Sequence, residues 1–145
     1  MGYHVSMNDQ KYIQADFSEV GLPPDGEGTI AIIPREAVRL ERIIIPADIA
    51  RLLDVSFVAV AGTPQLTASP VPGALFSECY GGVRVVAPED DHTKGYCPPR
   101  HLIEVRLRNT TQRALRVSGC QAILRLPERI RPPRQNPGPP TDQTP

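Results

Sequence analysis

The sequence predicts an all-β fold: a two-layer antiparallel sandwich of jelly-roll or Greek-key type over residues 28–126, flanked by an extended N-terminal arm (1–27) and a proline-rich C-terminal tail (127–145). Three observations predict it. Apolar and polar residues alternate with a period of two through much of His101–Leu126 (HLIEVRLRNTTQRALRVSGCQAILRL), the mark of strands with one oily face. Seventeen prolines and eleven glycines in a chain without tryptophan set turn signals about every ten residues and leave little helix. No segment repeats with the period of a solenoid.

Taken in order, the arm scatters Tyr3, Tyr12, Ile13, Phe17 and Val20 among polar residues without a period, and Gly21–Gly26 closes it with turn formers. Such a segment either docks on a partner or lies across its own domain. Gly28–Pro34 and Val38–Ile45 read as strands; in the second, Leu40, Arg42 and Ile44 face one way and Arg39, Glu41, Ile43 and Ile45 the other. Pro46–Leu53 has proline early and Ile49, Leu52 and Leu53 on one side, so it forms a short helical plug. Val55–Ala61, β-branched and aromatic with no charge, reads as a strand buried on both faces or at a layer centre. Gly62-Thr63-Pro64 turns the chain, and short pieces follow at 65–68, 74–77 and 83–86.

Pro88–Arg100 is a long polar loop, the kind of segment that makes contacts on a β scaffold. His101–Leu126 then supplies three antiparallel strands, broken at Asn109–Gln112 and Ser118-Gly119. Beyond them proline recurs at positions 127, 132, 133, 137, 139, 140 and 145, so the tail is extended or disordered. It is either a free tail or a segment ordered along a partner.

A chain of 145 residues is one domain with its own core. Zero formal charge argues against a dedicated nucleic-acid binder or a polybasic membrane anchor. No apolar run spans a bilayer, and the N-terminus lacks a secretory h-region. Cys79, Cys97 and Cys120 are too widely spaced for a disulfide framework or a metal half-site and read as buried or half-buried free thiols. Apart from Lys11 and Lys94 every basic residue is arginine, which suits an interface or reflects a GC-rich genome.

Chemistry is sparse. No GxSxG elbow or phosphate loop occurs, and Cys97 and His101 lie beside Pro98-Pro99 as a loop thiol and a surface histidine. Glu89-Asp90-Asp91-His92 lacks the alternating ligands of a calcium loop. The expectation is therefore no catalytic residue, no cofactor and no metal, with binding as the function.

Val38–Pro46, Val55–Gly62, Pro72–Glu78 and Ile103–Asn109 together resemble small virion proteins of tailed phages. In that family an RPERLVIP strand precedes a VGxxSQ turn, an iPaxxFSE segment and a closing VRN strand. Here Leu40 replaces the proline of the first motif and Gly62-Thr63-Pro64-Gln65 replaces the second. The resemblance covers about residues 28–126, and its motifs are structural. It implies a capsid cement or decoration protein on the outside of an icosahedral head. The implied partner is the major capsid protein, and no cofactor, enzymatic step, nucleic acid or membrane is implied.

On that reading the protein is made in the host bacterial cytoplasm, resides on the virion surface and forms a dimer or trimer. Tyr3, Tyr12 and Phe17 anchor the arm, and Arg129, Ile130 and Arg131 make a second contact in the tail. Removing residues 1–20 then abolishes head binding and leaves the sandwich folded. An alternative is a receptor-binding spike or tail-associated protein acting through His92 and Tyr96. A small β-sandwich enzyme or carbohydrate-binding module would need an aromatic cleft, and four Tyr and three Phe furnish little for one.

Overall fold

The structure, a computed structural model, describes residues 3–5, 12–66, 70–80, 83–84 and 95–126, with the backbone alone described at 3–5, 66, 80 and 83–84. It is an antiparallel β protein with one four-residue helix among the described residues. The strands are β1 (Tyr3–Val5), β2 (Tyr12–Asp16), β3 (Val20–Leu22), β4 (Glu27–Ile32), β5 (Val38–Ile44), β6 (Leu53–Val60), β7 (Thr63–Leu66) and β8 (Val71–Pro72). They continue with β9 (Val83–Arg84), β10 (Tyr96–Cys97), β11 (Ile103–Asn109), β12 (Leu115–Val117) and β13 (Gln121–Arg125). Helix α1 (Ala47–Ala50) and two 3-10 turns (Gly73–Phe76 and Glu78–Tyr80) complete it.

One sheet runs β1-β2-β13-β5, with β9 and β10 sharing the outer edge of β5. The other runs β4-β11-β6, with β7 and β8 sharing the outer edge of β6. A third, two-stranded piece pairs β3 with β12. Both main sheets send their apolar positions into one core: Ile13, Leu40, Ile43 and Leu124 from the first, Ile30, Val58, Val105 and Leu107 from the second. The central strands β11 and β13 show the predicted alternation, their odd and even positions respectively buried.

Several expectations need correction. His101–Leu126 does hold three strands, but they do not pair with one another: β11 sits between β4 and β6, β12 on β3, and β13 between β2 and β5. Residues 12–27 are not a detached arm. β2 is an inner strand of the first sheet, and Ile13, Ala15, Phe17 and Leu22 are core residues. Hydrophobic residues that lack a run of their own were recruited by a distant strand, which local periodicity does not report.

In β5 the expected alternation breaks at a bulge. Ile123 faces Arg42 and Leu124 faces Leu40, so Glu41 is the extra residue and the inward set becomes Val38, Leu40, Ile43 and Ile45. A second bulge at Ser56 in β6 shifts that strand in the same way. The piece at 74–77 is part of a 3-10 turn, not a strand, and Tyr96–Cys97 is a strand inside the expected loop. Cys97 and Cys120 are buried as expected, while Cys79 is exposed. The tail and the acidic run 89–92 lie outside the described residues.

Candidate functional site

The strand directions give the molecule two unlike ends. At one, Pro46 leads into α1, and the 3-10 turn beginning at Gly73 presses against it: a side chain at Gly73 would place Cβ 2.5 Å from the Ala50 carbonyl and 2.7 Å from that of Leu53. Phe76 fills the core beneath with no exposed surface. Ile45 and the 76–78 backbone exchange hydrogen bonds of 2.8 and 2.9 Å, and the Glu78 carboxylate accepts the Ala47 N–H at 3.1 Å. Val38–Pro46 and Pro72–Glu78, two of the segments that carry the phage-protein resemblance, thus meet in one structural clamp.

Asn109 closes the same end. Its Nδ2 donates to the carbonyls of Pro23 at 3.0 Å and Arg113 at 2.7 Å, and its Oδ1 accepts from Thr111 N at 2.9 Å and Thr111 Oγ1 at 2.7 Å. Pro23–Gly26 beside it is a type II turn, with Gly26 N–H on the Pro23 carbonyl at 2.9 Å and Asp25 at φ 56°. That uncommon backbone for a non-glycine residue is held from outside: Asp25 N–H reaches the Thr111 carbonyl at 3.0 Å, and its carboxylate pairs with Arg108.

Among the described residues no helix or 3-10 turn caps the opposite end. β4 and β6 finish there, β5 and β11 begin, and the chain leaves β13 toward the tail. Among the described residues, Ile33 (62% exposed), Tyr96 (41%) and Leu102 (36%) lie at this end, and of the exposed large hydrophobics only Leu75 lies at the other. Ile33 and Leu102 continue the β4–β11 register one step past the pair Ile32–Ile103. Leu102 accepts the Ala61 N–H at 2.8 Å, and the Pro34 carbonyl accepts the Arg100 N–H at 2.8 Å, tying three connections together.

Along the rim of the first sheet, on its outer face, the register aligns a row: Tyr12 opposite Arg125, Arg125 opposite Arg39, Arg39 opposite Tyr96. Two arginines face each other directly, an arrangement that repels. Bulged Glu41, 5% exposed, lies on the same face with its carboxylate 3.9 Å from Arg125 Nη1 and offsets that repulsion. The outer face of the second sheet differs: Glu27, Asp54 and Glu104 are interspersed with Arg106 and Arg108, and Arg106 lies over the Phe57 ring at 5.1 Å.

Of the residues expected to bind a partner, Tyr12 is half-buried on this rim row. Phe17 is 4% exposed in the core, where its own N–H bonds the Cys120 carbonyl, so it is a packing residue and not an anchor. Tyr3 belongs to edge strand β1, and Arg129, Ile130 and Arg131 lie outside the described residues. The sequence reading missed Ile33, Arg100 and Leu102. The signal was present in Ile32-Ile33 and Leu102-Ile103: in a strand, one member of each adjacent apolar pair must face outward.

Cys97 and His101 do not form a catalytic pair. The Cys97 thiol donates to the His101 backbone carbonyl at 3.5 Å, while the exposed imidazole's Nδ1 lies 3.2 Å from the Pro99 carbonyl. Burial pushes the Cys97 thiol up to about 11, away from the thiolate that nucleophilic chemistry needs. Among the described residues no group of three or more His, Cys, Asp or Glu is placed to hold a metal, and no helix is long and apolar enough to cross a membrane. The chain matches no family model, no curated protein and no solved structure.

Proposed function

We propose that this chain is a structural virion protein: a jelly-roll sandwich that binds the outside of a phage icosahedral head and bridges capsid subunits. The observation that carries the binding reading is the end where, among the described residues, Ile33, Tyr96 and Leu102 are exposed, with Tyr96 in register with Arg39. Arginine and aromatic residues are enriched where proteins dock, and lysine is depleted there. The assignment to virions rests on the resemblance over residues 28–126. Its quoted segments build both the clamp and central strand β11, as motifs of architecture should.

The jelly-roll assignment is supported by strand order. Counted as eight successive strands, β2, β4, β5, β6, β7, β10, β11 and β13 pair first with last, second with seventh, third with sixth and fourth with fifth. Rolling up one long hairpin produces that nesting, the arrangement shared by many viral capsid domains. The chain is proposed to act as a dimer or trimer on the major capsid protein, without a cofactor, after synthesis in the bacterial cytoplasm.

The test is copurification with assembled particles from its own source and the copy number per particle. A copy number approaching that of the capsid subunits supports the cement role. A handful per particle points instead to a vertex or tail part, the receptor-binding alternative in which exposed Tyr96 would contact the host. Absence from particles overturns the virion reading.

A further inference from the structure

We infer that the chain pairs with a second copy of itself through the outer face of its second sheet, the two copies back to back about a two-fold axis. This names the face of the dimer proposed above and rests on that reading. The register of β4, β11 and β6 sets the centre of that face in two rows. One row is Ala31, Glu104 and Ala59; the next is Thr29, Arg106 and Phe57. All six point away from the core, because Ile30, Val58 and Val105, which alternate with them, are buried in it. Leu102 and Ile33, both exposed, extend the same face one row beyond the alanines.

Glu104 and Arg106 are the charges of these two rows, and the cross-strand neighbours of each are uncharged. Neither has an ion pair among the described residues; Arg106 lies over the Phe57 ring at 5.1 Å. The relief of the face is uneven as well. Side chains one carbon long flank Glu104, and Ala59 is 1% exposed although it faces outward. The next row carries the bulk of Phe57 and Arg106.

The charges choose the rotation. A two-fold axis parallel to β11 would set Glu104 against Glu104 of the second copy, and like charges brought together repel. An axis lying across the strands, midway between the two rows, sets Glu104 on Arg106 of the second copy and Arg106 on its Glu104. The same rotation seats each Phe57 ring over Ala59 of the other copy, bulk against recess, and lays Leu102 along the stem of Arg108. An unrelated surface would need this pattern by coincidence, whereas a second copy supplies it by symmetry. The four strands of the sheet, over the length from Leu102 to Arg108, cover about 15 Å by 20 Å. That is less than the roughly 800 Å² each partner buries in a stable complex, so a dissociation constant of about 10–100 μM is expected. The Tyr12–Arg125–Arg39–Tyr96 row belongs to the other sheet, so in this dimer it faces outward on both sides, as bridging requires.

The experiment is sedimentation velocity on the full-length chain at low salt, from about 1 to 500 μM, where a monomer–dimer equilibrium is expected. Glu104→Arg and Arg106→Glu, each alone, bring like charges together at both crossings and should weaken self-association about tenfold or more. Mixed in equal amounts they should pair at least as well as wild type, since one chain then offers two arginines and the other two glutamates. Exposed Thr29→Glu, beside Glu104 of the second copy, should weaken it about threefold and decides the matter if a charge-reversed chain loses its thermal transition. Arg113→Gln, in the loop between β11 and β12, should behave as wild type. The inference is overturned by a wild type that stays monomeric or forms a trimer, by folded variants that associate unchanged, or by folded charge-reversed chains that fail to pair with each other. A dimer with these properties in a chain absent from particles removes the virion assignment alone; a particle-bound chain that fails them loses this face and keeps that assignment.

Discussion

Asn109 shows how much one residue can carry. It is fully buried, and its amide ties the carbonyls of Pro23 and Arg113 to the Thr111 loop. Asn109→Ala leaves those groups without partners at a buried site and should lower stability by about 3 kcal/mol. Asn109→Asp should cost at least as much at neutral pH, since a carboxylate would face two carbonyl oxygens. Urea unfolding of both variants checks this, and wild-type midpoints would refute the role. The sequence placed Asn109 in a motif without showing why; its partners come from two separate connections.

The thiols give a second residue-scale prediction. Burial pushes Cys97 up to about 11 and Cys120 to about 12, whereas Cys79 is exposed. An aromatic disulfide reagent at pH 8 should therefore label Cys79 in the native protein and the other two only after denaturation. Both buried thiols hold their protons more tightly folded than unfolded, where they titrate near 9. Stability should consequently be level below pH 9 and fall as pH rises from there toward 11 or 12, by up to about 1.4 kcal/mol per unit for each thiol. A level denaturation midpoint between pH 9 and 11 would contradict the assignment.

Among elements, the β6–β7 hairpin is the most open to improvement. Ala61 at φ 51° and Gly62 at φ 84° join strands paired at Val60 and Thr63, which makes a two-residue type I′ turn. Asparagine is favoured at the first of these positions and alanine is not, so Ala61→Asn should stabilise by about 0.5–1 kcal/mol. Gly73 is the converse case: with two backbone oxygens inside 2.8 Å of a new Cβ, Gly73→Ala should cost about 2–3 kcal/mol by prising α1 from the 3-10 turn. Thermal midpoints moving in opposite directions are the expected result. The alternation that revealed β11 and β13 was readable because each is buried on one face. The bulges at Glu41 and Ser56 were not, since an extra residue is defined by the strand opposite.

At the scale of the molecule, the longer strands between residues 28 and 126 were legible and their partners were not. A period of two says which face is oily and is silent about the neighbour, so β11, β12 and β13, consecutive in sequence, could fall into three different sheets. The same blindness made residues 12–27 look like an arm. The pairing that absorbs them is remote: Gln14 and Gln121, which touch through their side chains, are 107 residues apart. The consequence is testable by truncation. Deleting residues 1–20 removes β2 with the buried Ile13, Ala15 and Phe17, strips one side of β13 and opens the core. Loss of one such large side chain costs about 2–5 kcal/mol, and a domain's whole stability is about 5–15 kcal/mol. This truncation should therefore abolish the cooperative thermal transition, not merely weaken binding. Deleting residues 127–145 removes no member of the described core and should keep that transition. A folded protein without residues 1–20 would restore the arm and show that β13 can close the first sheet alone.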